Sequence, residues 1–290
     1  KMTIGKWGVW FAPNRMPMVD VGRLAAEVEG HGYDILWYPE SLAYEAMALG
    51  GYYLGRTTKL NVASGIANIY ARDAAAAMQG HNTLNALYDG RFILGLGVSH
   101  IPMVEGARGH DYGKPLPTMR AYLDAMYATP VQVAAPERRV VLAALGPKML
   151  ALSAAHADGA LPYNVTPEHT ARARGIVGPG KAIYVEQKIC LTEDAAVARE
   201  VAAKQLAMYL VLPNYRNCWL RLGFTEEDLS GQGSDRFLDA MVAWGSEATI
   251  RARLQAHFDA GADHVAIQPF DPAGGTSPDW NALAVFAPGD

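Results

Sequence analysis

Residues 91–100 read RFILGLGVSH, and this stretch bears most directly on the fold. Its first six residues are mostly apolar, which predicts a buried strand. The strand ends in Gly95-Leu96-Gly97, the only Gly-x-Gly that follows a predicted strand. A dinucleotide-binding fold would need a third glycine where His100 stands. The stretch therefore makes a dinucleotide-binding, doubly wound sheet the less favoured of the two candidate parallel folds.

Seven other short β-rich runs flank this strand, and helical patterns separate many of them. The eight predicted strands are residues 7–11, 35–38, 60–66, 91–96, 140–145, 160–161, 182–191 and 265–268. Such alternation is typical of βαβ units that form a parallel sheet. Eight units predict a closed (β/α)8 barrel, the TIM barrel, with residues 1–290 forming a single domain.

Two segments are long for simple loops. Residues 98–115 follow the fourth strand, and residues 213–245 follow the helix after the seventh strand. Long loops in compact domains are usually functional, and barrels build their active sites at the C-terminal ends of the strands. We therefore expect insertions after strands four and seven, both close to that face.

Composition excludes several classes of protein. The 290 residues are 50% hydrophobic and 19% charged, which supports a buried core and argues against disorder. The net charge is −4 and no Lys/Arg run occurs, so nucleic acid is not the expected partner. No apolar stretch reaches the roughly 18 residues that span a bilayer. Residues 1–8 contain no apolar segment of a leader, so the expected location is cytoplasmic.

Metal and disulfide chemistry find no support in the sequence. The two cysteines, Cys190 and Cys218, cannot build a disulfide framework, and buried structural thiols are the expected reading. No Cys-x2-Cys and no His-x3-His pair occurs, so no metal site is predicted. No Gly-x-Ser-x-Gly nucleophile elbow is present either. What remains is a series of special residues at successive strand ends.

The second and third strands each end near a residue that could have either a functional or a structural role. Glu40 could orient a ligand or move a proton, or it could cap a helix or form an ion pair. Gly65, in Ser64-Gly65-Ile66-Ala67-Asn68, could mark a bulge beside a ligand or a packing contact. Both readings stay open at this point for each residue.

The fourth and fifth strands end in similar fashion. Gly95 and Gly97 would let the chain turn tightly beside a ligand, and His100 could be a general acid or a structural histidine. In Gly146-Pro147-Lys148, proline occupies the first helical position, so free N–H groups could bind phosphate. An ordinary helix start is the alternative. A barrel would gather all these ends around one pocket, which strengthens the functional reading.

These motifs resemble the luciferase-like monooxygenase superfamily over nearly the whole chain. The resemblance rests on Gly32-Tyr33-Asp34, the Gly65-Ile66 pair, residues 90–97 and Gly146-Pro147-Lys148 followed by Ala157-Asp158-Gly159. An actinobacterial subfamily of F420-dependent oxidoreductases is more similar still, through residues 38–41, 65–73, 97–100, 141–149 and 212–217.

The resemblance implies a cofactor site and its residues. It implies a non-prolyl cis Gly65-Ile66 peptide that backs a deazaflavin ring. It places an acidic cofactor-site residue at Glu40 and a phosphate and side-chain tract at Gly146, Pro147 and the segment Pro162-Tyr163. Ser41 departs from the catalytic His of the sugar-phosphate dehydrogenase branch, and His100 departs from an acidic residue there. The full set of predicted cofactor contacts is Glu40, Ser64, Gly65, Ile66, Asn68, Gly97, Val98, Ser99, Gly146, Pro147, Lys148, Pro162 and Tyr163.

The predicted function is hydride transfer between coenzyme F420 and a small organic substrate, in a homodimer. His100 is the first choice of proton donor, followed by His110 and Glu105 on the long loop, with Glu40 as a further catalytic candidate. One alternative is an FMN-dependent monooxygenase that uses molecular oxygen and a partner reductase. The other is a flavin-binding protein without turnover.

Overall fold

A closed ring of eight parallel strands forms the centre of the computed structural model, which describes residues 5–289. Each barrel strand pairs in parallel with its two neighbours, and the last pairs with both the first and the seventh, which closes the ring. The barrel strands are β1 (Trp7–Trp10), β2 (Ile35–Tyr38), β3 (Asn61–Ser64), β5 (Phe92–Gly97), β6 (Val140–Ala143), β7 (Gly159–Leu161), β8 (Ala182–Cys190) and β10 (His264–Phe270). The prediction of a (β/α)8 barrel is confirmed, and the open-sheet alternative is wrong.

Two short strands lie outside the ring. The predicted third strand, residues 60–66, divides into β3 and a two-residue strand β4 (Ala67–Asn68) that pairs with β5. Strand β9 (Val242–Trp244) adds to β8. The third strand divides because the chain bulges at Gly65 and Ile66, between the two pairings.

Helices surround the ring, and fewer than half of those in the described residues were predicted from the sequence. The helices are α1 (Met18–Gly30), α2 (Ala46–Gly55), α3 (Ala74–Leu87), α4 (Pro115–Ala128), α5 (Pro147–His156), α6 (Pro167–Val177), α7 (Ala195–Leu206), α8 (Pro213–Arg221), α9 (Asp235–Met241), α10 (Glu247–Asp259) and α11 (Trp280–Val285). Helical patterns predicted α1, α3, α5, α7 and α10, whereas α2, α4, α6, α8, α9 and α11 were not predicted.

The core has an inner and an outer layer. Alternate residues of the strands pack inside the ring, among them Trp10, Trp37 and Tyr184. The intervening residues face the helices in a larger cluster that includes Val9, Leu36 and Val185. This division follows from the two-residue period of a strand, which sends successive side chains to opposite faces.

Both long segments are more ordered than loops. Residues 98–114 contain a π-helix, Pro102–Ala107, and residues 213–245 contain α8, α9 and β9. The interpretation of 213–245 as a loop was therefore wrong. Its position was predicted correctly, because Tyr215 and Trp219 of α8 pack beside residues that follow β7.

Within residues 5–289, no helix is long and apolar enough to cross a membrane. Residues 1–4, on which part of the leader prediction rests, lie outside the described chain.

Candidate active site at the C-terminal ends of the strands

All barrel strands run parallel, so the predicted residues at their ends meet at one face. The Gly65-Ile66 peptide is cis, as the resemblance implied. The bulge is held from both sides: Trp10 Nε1 donates to the Gly65 carbonyl at 3.0 Å, and Glu40 N donates to the Ile66 carbonyl at 3.0 Å. The Ile66 side chain stays partly exposed at the barrel mouth. It is therefore placed where a flat ligand could rest on it.

The glycines of β5 serve close packing. A Cβ on Gly95 would lie 2.0 Å from the Ser64 carbonyl oxygen, and a Cβ on Gly97 would lie 2.5 Å from Ile66 Cδ1. The expected tight turn at these glycines is wrong. The turn comes two residues later, at Ser99, whose φ is +57°. The glycines let β5 approach the bulge.

Glu40 forms a buried ion pair with Arg72. Its side chain is 2% exposed and that of Arg72 is 9% exposed. The carboxylate also accepts hydrogen bonds from Ala46 N at 2.7 Å and from Asn68 N at 2.9 Å. These contacts join the loop after β2 to the start of α2 and to β4. Of the two readings of Glu40, the structure shows the ion pair.

Asn68 and Ser64 differ in their availability to a ligand. Asn68 Oδ1 accepts from Tyr70 N at 2.9 Å, whereas its buried Nδ2 has no partner among residues 5–289. A buried donor without a partner costs about 1–3 kcal/mol, so a ligand acceptor there would remove the cost. Ser64 Oγ instead bonds the backbone of Gly95, donating to its carbonyl at 2.9 Å. Its side chain is therefore engaged within the barrel wall.

An aromatic wall stands opposite the bulge. The Tyr163 ring packs on Trp10, with 4.8 Å between centroids, and its hydroxyl bonds Tyr209 and Gln268. Tyr215 of α8 lies 5.0 Å from Tyr209. The sequence analysis had missed Trp10, Tyr209, Tyr215 and Gln268, because their proximity depends on strands and an insertion far apart in sequence.

His100 reaches this wall. Its ring lies 5.9 Å from that of Tyr215 and is half-buried. Burial lowers the pKa of His100 below 6.5. The imidazole is therefore mostly neutral at neutral pH. A neutral imidazole is better suited to accepting a proton than to supplying one.

The other candidates on the long loop lie elsewhere. His110 is exposed, and Glu105 is exposed with its carboxylate accepting from Tyr112 N at 3.2 Å. The structure does not bring either side chain to the wall formed by Tyr163 and Tyr215.

Two helix starts meet beside the mouth. Helix α5 begins after Gly146 and helix α6 after Thr166, and neither start is capped by a side chain. His169 of α6 donates from Nε2 to the Leu145 carbonyl at 2.8 Å and so joins the two ends. Thr166 Oγ1 and His169 Nδ1 are buried without partners among the described residues. The free N–H groups and the Thr166 hydroxyl are donors that could bind an anion, whereas His169 Nδ1 is an acceptor in the neutral ring.

Positive charge supports this reading. A Cβ on Gly146 would lie 3.5 Å from Arg221 Nη2, so that guanidinium lies near the start of α5. Pro147 and Lys148, the first two residues of α5, are exposed there. The predicted phosphate tract is thus extended by Thr166, His169 and Arg221, which the sequence analysis did not identify.

A buried charged pair lies behind the aromatic wall. Glu186 and Lys188 of β8 are each 1% exposed and lie 3.3 Å apart, Oε1 to Nζ. They occupy alternate positions of an apolar strand, AIYVEQKIC, and this spacing is a signal in the sequence that was missed.

Across residues 5–289, no three His, Cys, Asp or Glu side chains are grouped so as to hold a metal ion.

Comparison with known proteins relates this architecture to named relatives. A Mycobacterium tuberculosis protein, provisionally described as a coenzyme F420-dependent oxidoreductase, is 26% identical over 253 residues, covering 72% of this chain and 71% of that protein. A solved F420-dependent secondary alcohol dehydrogenase, in complex with an F420-acetone adduct, has a TM-score of 0.78 at 14% identity over 97% of both chains. The oxygenating constituent of 3,6-diketocamphane monooxygenase from Pseudomonas putida, in complex with FMN, has a TM-score of 0.70 at 14% identity, covering 98% of this chain and 97% of that one.

At such identities the two structural matches show a common fold. The family assignment rests on the sequence itself, because the family model for luciferase-like monooxygenases matches residues 8–264. That range contains six of the eight barrel strands in full and most of β1, together with the cis bulge and both helix starts. The chain therefore belongs to the luciferase-like monooxygenase family.

Proposed function

We propose that this protein is an oxidoreductase that transfers a hydride between coenzyme F420 and a small organic substrate at the C-terminal face of the barrel. The observation that carries the proposal is the pair of buried, unpartnered donors on two sides of the mouth: Asn68 Nδ2 and Thr166 Oγ1. They fit a ligand with a polar ring system and a phosphate. The F420-dependent relatives favour the deazaflavin.

The phosphate would be held where α5 and α6 begin. Backbone N–H groups after Gly146 and the Thr166 hydroxyl would donate to it, and Arg221 would add charge. A phosphate near His169 Nδ1 would favour the protonated imidazole and so create a further donor. Lys148, exposed on the first turn, is placed to attract an acidic tail.

The ring system would lie between the bulge and the aromatic wall. Ile66 would support one face, with Gly97, Val98 and Ser99 along one edge. Asn68 Nδ2 would donate to a ring oxygen or nitrogen, and the Glu40 carboxylate would orient Asn68 through its backbone N–H. Gly65, Ser64 and Pro162 would shape this surface through the backbone, and Tyr163 would face the ligand.

The bound cofactor supplies the hydride chemistry, and the protein contributes binding, orientation and proton movement. His100 would move the proton of the substrate. Because burial lowers its pKa, the neutral ring would accept a proton from an alcohol that is being oxidised. In the opposite direction the minor imidazolium form would donate it. His110 and Glu105 remain the second choices, since the loop that carries them borders the mouth.

Oxygen chemistry with FMN is the second candidate, supported by the FMN complex among the structural matches. FMN also has a phosphate and a flat ring system, so the same residues could hold it. The homodimer and the cytoplasmic location stay predictions.

Equilibrium titration of the purified protein with F420, FMN and FAD tests the proposal. We expect F420 to bind at least about tenfold more tightly than FMN, which is about 1.4 kcal/mol. Bleaching of each bound cofactor by candidate substrates, with and without oxygen, then separates hydride transfer from monooxygenation. Equal or tighter binding of FMN would favour the monooxygenase, and binding without any turnover would favour a flavin carrier.

A further inference from the structure

Lys188 and Glu186 are charged residues in the interior of the barrel. They continue the alternation of Ala182 and Tyr184, whose side chains pack inside the ring. Both side chains are 1% exposed. Removing two charges from water costs several kcal/mol for each ion, so a buried pair is weak evidence for stability. A contribution to the stability of the fold therefore does not by itself explain why these two charges are buried.

The ammonium of Lys188 is fully engaged. It donates to Asn164 Oδ1 and to Glu186 Oε1, and it lies 3.8 Å from the centroid of the Tyr163 ring. Three contacts account for its three N–H groups. Glu186 in turn accepts from Asn164 N at 3.3 Å. The charged pair thus contacts two residues of the loop after β7, Tyr163 and Asn164.

Those two residues border the proposed ligand site. The Tyr163 ring packs on Trp10, and its hydroxyl joins Gln268 and Tyr209. Asn164 has a left-handed backbone, with φ of +56°, and its buried Nδ2 has no partner among the residues described. Lys188 contacts the side chains of both residues.

We propose that Lys188 is a positioning residue: its ammonium, paired with Glu186, holds the Tyr163 ring and the Asn164 carboxamide in the orientations in which they line the substrate half of the pocket. This inference rests on the proposed function. Tyr163 is the wall residue that would touch substrate, and burial raises the pKa of its phenol far above 10, so it remains a hydrogen-bond donor throughout.

The pair also makes the site sensitive to alkaline pH. Burial lowers the pKa of Lys188 from 10.5 to about 8, although Glu186 opposes this shift. The titratable groups that face the ammonium are Glu186, Tyr163 and Tyr209. Tyr163 and Tyr209 both keep their protons well above pH 8, because burial raises their pKa values. Loss of the Lys188 proton would therefore remove the charge over the ring.

The experiment compares three enzymes loaded with cofactor. Lys188→Met with Glu186→Gln removes both charges, so that no carboxylate is left buried alone, and Lys188→Arg keeps a permanent charge. We expect kcat/KM of the wild type to fall above about pH 8. The double variant should lose at least about tenfold in kcat/KM at neutral pH, mostly through KM, and should lack the alkaline fall. Lys188→Arg should shift the fall to higher pH.

A matched control is Lys181→Met, which removes a lysine that donates to the Ala157 carbonyl at the opposite end of the barrel. It should keep the wild-type pH profile. An alkaline fall that persists unchanged in the double variant would overturn the proposal. If the wild type turned over with neither F420 nor FMN, the proposed function would fail. The crystal structure of the unliganded double variant would then decide the inference: Tyr163 should leave its stack on Trp10, and an unmoved Tyr163 and Asn164 would overturn it.

Discussion

Gly97 and Ile66 are packed so closely that a methyl group on residue 97 would lie 2.5 Å from both Cδ1 and Cγ1 of the isoleucine. The end of β5 therefore sets the position of the side chain on which the ring of a ligand would rest. A Cβ there must push the isoleucine away, because real Cβ atoms do not approach other atoms so closely.

Gly97→Ala should consequently displace Ile66 and weaken binding of F420 or FMN by at least about tenfold, roughly 1.4 kcal/mol. Fluorescence titration measures the loss. Gly106→Ala on the π-helix is the control, since a Cβ there meets nothing within 4 Å. Unaltered cofactor affinity in Gly97→Ala would exclude Ile66 from the ring site.

His100→Asn should lower kcat by at least about a hundredfold, the low end of what a general acid or base contributes. Cofactor affinity should change little, because His100 lies against Tyr215 of the aromatic wall and is proposed to face the substrate. Since burial lowers the pKa of His100, the rate of substrate oxidation should fall only as the pH drops below 6.5. Lost thermal stability together with lost cofactor binding would indicate a structural histidine instead. Turnover at the wild-type rate would exclude His100 as the proton-transfer residue and make His110 the next residue to test.

Thr166→Val should weaken binding of phosphate-bearing cofactors by about ten- to a hundredfold, since a hydrogen bond to a charged group is worth about 1.5–3 kcal/mol. Binding of riboflavin, which lacks the phosphate, should be unchanged. Thr129→Val, at the far end of α4, is the same substitution at a hydroxyl that only bonds the Ala125 carbonyl. An equal loss for FMN and riboflavin would argue against a phosphate beside Thr166.

Arg72→Met should destabilise the protein by about 3–5 kcal/mol, because it leaves the buried Glu40 carboxylate without its cation. Chemical denaturation measures the change in the free energy of unfolding. Adding Glu40→Gln should recover much of the loss. A double variant no more stable than Arg72→Met would mean that the guanidinium acts mainly through its contact with Glu45.

The free energy of unfolding should also depend on the protonation of Lys188. The pKa of Lys188 is 10.5 in the unfolded chain and about 8 when folded, so the unfolded state binds more protons between these values. Stability therefore rises with pH across that window. The melting temperature of the wild type, relative to Lys188→Met with Glu186→Gln, should increase from pH 8 towards pH 10. A constant difference would mean that the pKa of Lys188 is not depressed.

The strands of the barrel could be predicted because their pattern is local. Apolar runs bounded by glycine and polar residues occur in sequence at all eight places, and the strands pair in the predicted order. The start of α5 at Gly146 and Pro147 was predicted for the same reason, since proline at the first turn marks a helix start. Helix α2 was missed because its residues, AMALGGYYLG, are nearly all apolar or glycine and so show no amphipathic period.

The sequence by itself therefore determined the parallel barrel, the strand ends that form the candidate site and, through resemblance, the cis bulge at Gly65-Ile66. Tertiary structure alone decided what each residue does there. It turned Glu40 towards Arg72 and Ser64 into the barrel wall, brought Tyr215 to His100 across more than a hundred residues, and buried Lys188 beneath Tyr163. The physical reason is that hydrogen bonds, burial and pKa shifts depend on neighbours in space, whereas periodicity depends only on neighbours in the chain.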